Sequence, residues 1–311
     1  MLNLLEKVRT EMKIVLTGSL GHISKPLANE LIQKGHSVTV VSHNPERQKD
    51  IEALGAGAAI GTFENAEFLT NTFKGADAIY CMISAGGNAY FDQGFDLMAY
   101  TQTLGKIYKE AIERSGVKRV VFLSSIGAHT DKGNGILAFY NHLENILKEL
   151  PPDVSIAFMR PVGFYYNLFG FIQTIKTQGV IATNYGGDIK KPWVSPIDIA
   201  AAVAEELTTP FNGRKVRYVV SDEVSCNELA TLLGTAIGKP DLKWVIIPDE
   251  QLLNGMIAAG MNPKIAAGLV EMNAAGHTGK LYEDYDRHRP ILGRVKLTDF
   301  AKDFAAVYNG K

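Results

Sequence analysis

Short apolar runs alternate with amphipathic stretches along the first half of the chain. The runs are rich in β-branched residues and have the length of buried strands, and the stretches between them repeat apolar positions at helical spacing. The predicted strands cover residues 14–16, 37–41, 58–60, 75–82, 116–123 and 154–160. The predicted helices cover residues 24–32, 46–54, 66–73, 95–115 and 137–150. The short loops predict right-handed crossovers and one parallel sheet covered on both faces.

Beyond residue 167 the predicted elements are shorter and more mixed. Residues 179–187 are rich in glycine and polar residues, which predicts a loop. The remaining predicted elements are helices at 197–207, 226–237, 248–259, 263–274 and 297–307, and strands at 216–220 and 243–247. This length of chain suffices for a small lobe that packs over the sheet.

The turn after the first predicted strand has the spacing G-x-x-G-x-x-S. Gly18 permits a tight turn, and Gly21 lets a pyrophosphate approach bare backbone. The helix that begins near Ser24 offers unpaired N–H groups and the positive end of its dipole, and Pro26 fits its first turn. The motif predicts a dinucleotide site, although the same glycines also suit a plain turn.

The end of the second predicted strand bears on the choice of cofactor. An NAD site usually places Asp or Glu there to bind the ribose 2′-hydroxyl, and this chain has Ser42-His43-Asn44 instead. Arg47 and Lys49 follow and could bind a 2′-phosphate. We therefore expect NADP to be preferred over NAD, with an exposed polar loop as the alternative.

Composition excludes several classes of function. The 32 basic and 33 acidic residues of this 311-residue chain create no strong field for nucleic acid or an anionic membrane. The 2 cysteines, Cys81 and Cys226, give neither a disulfide framework nor metal spacing, so no metal is expected. Residues 1–11 carry charges among their leucines and are expected to form a short amphipathic extension. With no apolar stretch of membrane-spanning length, we expect a cytoplasmic protein.

The succession of these segments resembles the NmrA-like branch of the atypical short-chain dehydrogenase/reductase superfamily. The resemblance rests on residues 17–24, 42–47, 75–80, 115–128, 144–150 and 159–167, and continues through 192–200 and 225–240. It implies an α/β fold in which residues 12–165 form a doubly wound parallel-sheet Rossmann domain. Residues 166–311 would form a smaller substrate or lid lobe, with a segment at about 192–220 returning to the sheet domain.

The resemblance also implies a dinucleotide lying across the carboxyl edge of the sheet. The pyrophosphate would be held by Gly18, Ser19, Leu20, Gly21, His22 and Ile23, the adenosine ribose by Ser42, His43, Asn44 and Arg47, the middle of the cofactor by Met82, Ile83 and Ser84, and the nicotinamide by Ser124, Pro161, Val162, Gly163 and Phe164. One departure affects the adenine, because the usual Gly-Asp-Leu reads Gly61-Thr62-Phe63. Thr62 could still form a hydrogen bond there and Phe63 could pack.

A second departure concerns catalysis. Short-chain reductases carry Tyr-x-x-x-Lys because an alkoxide must be protonated and the lysine lowers the pKa of the tyrosine. Here Tyr140 is followed four residues later by Glu144. If Glu144 is aligned with the acidic residue that relatives carry on this helix, Tyr140 falls at the lysine position and Ile136 at the tyrosine position. Tyr140 and Ser124 remain the candidate catalytic residues, and packing of Tyr140 and backbone bonding by Ser124 are the alternatives.

The leading hypothesis is an NAD(P)H-dependent reductase that passes hydride to a small quinone-like or enone acceptor. Its cleft would be lined by Tyr140, Phe164, Tyr165 and Trp193. The alternative is a non-catalytic NmrA-type sensor of the NAD(P) redox state, which would act through a protein partner. A nucleotide-sugar epimerase or dehydratase is disfavoured, since it also needs the tyrosine–lysine pair. A homo-oligomer stays open, and His277 and residues 282–289 are interpreted as solvated.

Overall fold

The computed structural model describes residues 11–310, so nearly all of the predicted N-terminal extension lies outside the described residues. The strands are β1 (Lys13–Leu16), β2 (Ser37–Ser42), β3 (Gly57–Ile60), β4 (Ala78–Cys81), β5 (Arg119–Leu123), β6 (Ser155–Pro161), β7 (Gly163–Phe164), β8 (Val180–Thr183), β9 (Lys191–Val194), β10 (Arg214–Val219), β11 (Asp222–Val224) and β12 (Lys243–Ile246). The helices are α1 (Ser24–Gln33), α2 (Gln48–Ala53), α3 (Ala66–Phe73), α4 (Leu97–Ser115), α5 (Ala138–Lys148), α6 (Ile172–Gln178), α7 (Pro196–Thr208), α8 (Cys226–Ala236), α9 (Asp249–Ala258), α10 (Pro263–Thr278), α11 (Glu283–Arg287) and α12 (Leu297–Tyr308).

Seven parallel strands form the central sheet in the order β10-β6-β5-β4-β1-β2-β3. The chain starts at β1, builds outward to β3, and then crosses back so that β4 lies on the other side of β1. Ligands of open α/β sheets bind at such a reversal, beyond the carboxyl ends of the strands. The predicted α/β fold with a doubly wound parallel sheet is therefore confirmed.

Helices cover both faces of this sheet, as the apolar strands require. Helices α1, α2 and α7 bury Leu27, Ile51 and Val203 against one face. Helices α3, α4 and α5 bury Leu69, Tyr108 and other apolar side chains against the opposite face. At about 25 cal/mol for each Å² of apolar surface removed from water, this two-sided burial is the main stabilising contribution to the fold.

The C-terminal part of the chain builds a third core. Strands β7, β9 and β11 form one small sheet, and β8 and β12 pair in parallel as another. The interpretation of residues 179–187 as a loop is wrong for its first half, because Val180–Thr183 is strand β8. Val180 and Ile181 supply the apolar residues of this strand, but its partner β12 lies about 60 residues downstream, which a local pattern does not reveal.

The interpretation of residues 282–289 as a solvated segment is wrong for Tyr285 and Asp284. The segment contains α11, and its Tyr285 is buried with its hydroxyl donating to Glu223 at 2.8 Å. Asp284 accepts a hydrogen bond from Tyr218 at 2.6 Å and lies 3.0 Å from a guanidinium nitrogen of Arg160. These two residues anchor the segment to the end of the central sheet, whereas its other charged side chains are exposed: Glu283, Asp286, Arg287, His288 and Arg289.

Helix α10 packs backbone to backbone on the single 3₁₀ turn that precedes α5. A Cβ atom built on Gly135 would lie 2.0 Å from the carbonyl oxygen of Gly268, and one built on Gly268 would lie 3.1 Å from the amide nitrogen of Ile136. Only glycine at both positions allows this approach. This contact places α10 of the C-terminal lobe directly beside the start of α5.

We predict that Gly135→Ala destabilises the protein more than Gly116→Ala. Both glycines have positive φ, 57° and 79°, but no described atom lies within 4 Å of a Cβ on Gly116. The left-handed backbone costs about 1–2 kcal/mol at either site. The contact with α10 adds roughly 1–3 kcal/mol at Gly135 only. Urea unfolding measures both, and equal losses would contradict this packing.

Candidate functional site

The predicted glycine turn lies at the carboxyl end of β1 in the geometry that its sequence implies. Gly18 has φ of +97°, and a Cβ at this position would lie 2.8 Å from the Ser24 hydroxyl oxygen and 3.0 Å from the Met82 side chain. Ser19 also adopts positive φ, at 54°. The Gly21 amide donates to the Gly18 carbonyl at 3.2 Å and closes the turn.

Helix α1 presents an N-terminus that no described side chain caps. Its capping position is Ile23, and its first turn holds no acidic residue among those described. Ile23 and Leu20 pack into the core, so they can offer only backbone groups to a ligand. Gly21 and His22 are exposed. Free N–H groups and the helix dipole make this end suitable for a phosphate.

Hydrogen bonds between β1 and β4 hold the turn in place. The Thr17 hydroxyl accepts from the Met82 amide at 3.0 Å, and the buried Tyr108 hydroxyl donates to the Met82 carbonyl at 2.7 Å. The Ser24 hydroxyl donates to the Thr17 carbonyl at 3.0 Å. This serine therefore replaces the third glycine of the usual motif while tying α1 to β1.

The residues predicted to hold the ribose divide into two groups. Ser42 and Asn44 shape the turn, because the buried Ser42 hydroxyl accepts from Ser19 at 3.0 Å and Asn44 caps the following 3₁₀ turn. His43 and Arg47 are exposed, and the Arg47 guanidinium lies 3.4 Å from Asp50. An exposed pair of this kind contributes little stability, so Arg47 is available to an anionic ligand.

The residues predicted for the adenine and the middle of the cofactor lie after β3 and β4. Thr62 accepts a hydrogen bond from the Glu64 amide at 3.1 Å, and Phe63 packs at the edge of the core. Met82 and Ile83 are half-buried, while Ser84 is exposed and accepts from the Gly86 amide at 3.3 Å. Parallel strands bring both loops to one edge of the sheet, as the sequence predicts.

Ser124 is buried at the carboxyl end of β5, and its hydroxyl donates to Glu144 at 2.6 Å. Glu144 is itself buried and accepts two hydrogen bonds from Arg160, at 2.9 Å from Nε and 2.7 Å from Nη2. The Ser124 hydroxyl therefore belongs to a buried ionic network, rather than bonding the backbone as the alternative interpretation expected, and its catalytic role stays a prediction.

Tyr140 is half-buried at the start of α5, next to the ring of Phe139. Burial raises the pKa of the Tyr140 hydroxyl, and the nearby hydroxyls of Tyr90 and Tyr166 raise it further. At neutral pH the group is protonated and can donate a hydrogen bond. Glu144 and its partner Arg160 occupy the place where a lysine would lower this pKa.

The loop after β6 turns aromatic side chains in two directions. Pro161 and Val162 are buried and supply backbone only, whereas Gly163 and Phe164 are half-buried. Tyr166 stacks on His22 of the glycine turn, with ring centroids 4.9 Å apart, and lies 5.5 Å from the ring of Phe164. The stack brings this loop against the presumed pyrophosphate site.

Tyr165 and Trp193 do not line the cleft, so these two residues of the predicted pocket are corrected. They are 1% and 5% exposed and belong to the third core, where the Tyr165 ring stacks on Phe300 at 5.2 Å. Strand β7 ends at Phe164, and Tyr165 and Tyr166 open the 3₁₀ helix Tyr165–Phe171, in which neighbouring side chains point in different directions. Tyr166 was not identified from the sequence, because the local pattern does not reveal where this helix begins.

Tyr90 is a second aromatic residue that the sequence did not reveal. It lies on the 3₁₀ turn Gly87–Phe91, is half-buried, and has its pKa raised by burial and by the neighbouring hydroxyl of Tyr166. Its surroundings of glycine and asparagine gave no periodic signal. Across residues 11–310 no cluster of three His, Cys, Asp or Glu side chains could hold a metal ion. No helix in the same range is long and apolar enough to cross a membrane.

Comparison with known proteins agrees with this geometry. A family model described as NAD(P)H-binding matches residues 18–210, which is more than half of the chain. The chain belongs to the NAD(P)H-binding family. An NAD(P)H azoreductase of Xenophilus azovorans is 24% identical over 298 residues, covering 95% of this chain and 99% of that protein.

Solved structures of the family's fold extend over almost the whole chain. The NADPH-dependent quinone oxidoreductase of Escherichia coli, in complex with NADPH, has a TM-score of 0.76 at 18% identity and covers 93% of this chain and 99% of its own. The triphenylmethane reductase of Citrobacter sp. has a TM-score of 0.75 at 19% identity, covering 94% and 99%. A mutant of NmrA has a TM-score of 0.64 at 16% identity, covering 94% and 91%, so the likeness to NmrA extends to the fold.

We predict that Gly18→Ala weakens NADPH binding at least tenfold, on the order of the 1–3 kcal/mol that an overpacked site costs. The new methyl group would displace Ser24 or Met82, and φ at this position is +97°. Gly35→Ala is the matched control, because Gly35 follows α1 with φ of +82° and no described atom within 4 Å of its Cβ. Titration of NADPH fluorescence measures both, and a similar loss in both variants would refute the role of the turn.

Proposed function

We propose that this protein is an NAD(P)H-dependent reductase that passes hydride to a flat, conjugated, electron-poor acceptor of the quinone or enone type. The observation that carries the proposal is the pairing of an uncapped α1 N-terminus with an aromatic loop stacked against it through His22 and Tyr166. Half-buried aromatic side chains at Tyr90, Tyr140 and Phe164 suit a planar ligand.

The acceptor class follows from how the reduced product can be protonated in this cleft. Bound NAD(P)H supplies a hydride, so that the acceptor gains two electrons and one proton. The resulting aryl oxyanion has a pKa near ~10, as for tyrosine, and water can protonate it. The protonated hydroxyl of Tyr140 can donate a hydrogen bond to that oxyanion. A simple ketone would give a far more basic alkoxide, for which the missing lysine is a serious loss.

The relatives support this acceptor class. Their names refer to azo compounds, quinones and triphenylmethane dyes, and all three acceptors are extended conjugated systems. A reductase that lacks the tyrosine–lysine pair suits such acceptors. The same lack also favours a second candidate function, a non-catalytic sensor of the NAD(P) redox state that acts through a protein partner, as the resemblance to NmrA suggested.

For the cofactor we propose a preference for NADP. Strand β2 ends at Ser42, and the exposed His43 and Arg47 follow it. A 2′-phosphate beside Arg47 would gain charge-assisted hydrogen bonds, whereas a ribose hydroxyl would find no carboxylate at the strand end. The structures in complex with NADPH among the relatives support this preference.

We predict NADPH oxidation by purified protein with a panel of quinones and azo or triphenylmethane dyes. Tyr140→Phe should lower kcat/KM by less than about tenfold, the worth of one hydrogen bond. Tyr308 lies in α12 against Lys176, and Tyr308→Phe is the matched control. A loss of about 10² or more in Tyr140→Phe would make this tyrosine a general acid. Tight NADPH binding without turnover of any acceptor would favour the sensor.

We also predict that Arg47→Ala raises KM for NADPH about tenfold or more while changing KM for NADH less than about twofold. The guanidinium would contact only the 2′-phosphate. Arg114→Ala removes a similarly exposed arginine, paired with Glu110 on α4, and should leave both constants unchanged. An equal effect of Arg47→Ala on the two cofactors would refute the preference.

A further inference from the structure

One buried side chain, Asn262, ties helix α10 to the loop that follows β4. Its amide nitrogen donates to the Asp92 carbonyl at 2.9 Å and lies 3.4 Å from the carbonyls of Gln93 and Phe95. Its side-chain oxygen accepts from the Lys264 amide at 2.9 Å and so caps α10. The residue is 3% exposed, so water does not compete for these bonds.

The backbone of Asn262 joins the same two elements. Its amide donates to the carbonyl of Tyr90 at 2.9 Å, and Tyr90 is one of the half-buried aromatic residues of the cleft. A second, exposed contact runs from the Gln93 side chain to the Gly260 carbonyl at 3.1 Å. The position of Tyr90 therefore depends on the N-terminal end of α10.

Helix α10 is held at its middle and beyond its far end as well. Its middle rests on Gly135, and Leu281 beyond its C-terminus packs against Gly127 in the loop after β5. The helix thus runs from the loop after β4 to the loop after β5. Both loops leave the carboxyl edge of the sheet, where the acceptor would meet the nicotinamide.

We infer that Asn262 is a positioning residue that fixes the Tyr90 loop against α10 and thereby sets the width of the acceptor cleft. The inference rests on the proposed function. A cleft of fixed width favours small flat quinones over bulkier triaryl acceptors, because a planar ligand gains most from walls that contact both of its faces. Asn262 acts through Tyr90 and need not touch the acceptor itself.

Asn262→Asp removes the hydrogen bonds that the side-chain NH₂ group donates to the loop after β4, but keeps the bond that caps α10. An aspartate oxygen can still accept from the Lys264 amide and suits the start of a helix. The lost NH₂ group leaves a carboxylate facing the carbonyls of Asp92, Gln93 and Phe95, which repel it. Asn65→Asp is the matched control, because Asn65 caps α3 through the Phe68 amide at 3.0 Å.

The test compares two acceptors without requiring turnover. Protein saturated with NADP⁺ is titrated with a triphenylmethane dye by its absorbance shift, and benzoquinone is measured by competition. We expect Asn262→Asp to change the ratio of the two dissociation constants about fivefold to tenfold in favour of the dye, on the order of one hydrogen bond. The NADP⁺ affinity should stay within about twofold, as should every value for Asn65→Asp.

A ratio unchanged in Asn262→Asp, or equal weakening of both acceptors, would overturn the inference. Gln93→Ala removes only the exposed contact and should shift the ratio in the same direction by a smaller factor, which keeps the test usable if Asn262→Asp does not fold. If wild-type protein binds neither acceptor, the proposed function fails. Hydrogen exchange of residues 90–95 then tests whether Asn262 holds this loop against α10. Unchanged protection of these amides in Asn262→Asp would refute that role.

Discussion

The buried ion pair between Glu144 and Arg160 organises the carboxyl end of the central sheet. Removing two charges from water costs several kcal/mol for each ion, and only complete pairing and hydrogen bonding offset that cost. Here Glu144 accepts from Ser124 and twice from Arg160, while Arg160 also donates to Tyr218 and Asp284. One network thus joins β5, α5, β6, β10 and α11. Loss of Arg160 would leave the fully buried Glu144 carboxylate without its bidentate partner.

This network also explains the chemistry that the site lacks. A lysine four residues after Tyr140 would replace Glu144 and place a second cation beside Arg160, with Asp284 as the remaining carboxylate of this network. Burial opposes the charge of the Arg160 guanidinium, but the hydrogen bonds that it donates to Glu144 and the charge of that carboxylate outweigh burial and raise the pKa of Arg160. Asp284 stays ionised too, since bonds from Tyr218 and Arg160 lower its pKa against the opposing effect of burial. The absence of the lysine is therefore part of a coherent arrangement.

The sheet and the glycine turn could be predicted because their signals are local. Apolar runs, glycines and helix starts lie within a few residues of one another, and parallel topology follows from short crossovers. The fate of Ser124 could not be predicted in this way, because its partner Glu144 is 20 residues away and its burial depends on α5. The contacts of Asp284 could not be predicted for the same reason, since its partners Tyr218 and Arg160 lie about 66 and 124 residues away in the sequence.

The aromatic residues after β7 show how the C-terminal lobe affects the edge of the central sheet. Tyr165 and Tyr166 are neighbours in sequence, yet one completes the third core against Phe300 and the other stacks on His22. The lobe that buries Tyr165 therefore also fixes the direction of Tyr166. A well-packed core transmits such a constraint because its side chains have few alternative rotamers. The residues proposed to hold the cofactor follow from the sheet, whereas the aromatic side chains proposed to line the acceptor cleft take their directions from the lobe that packs against it.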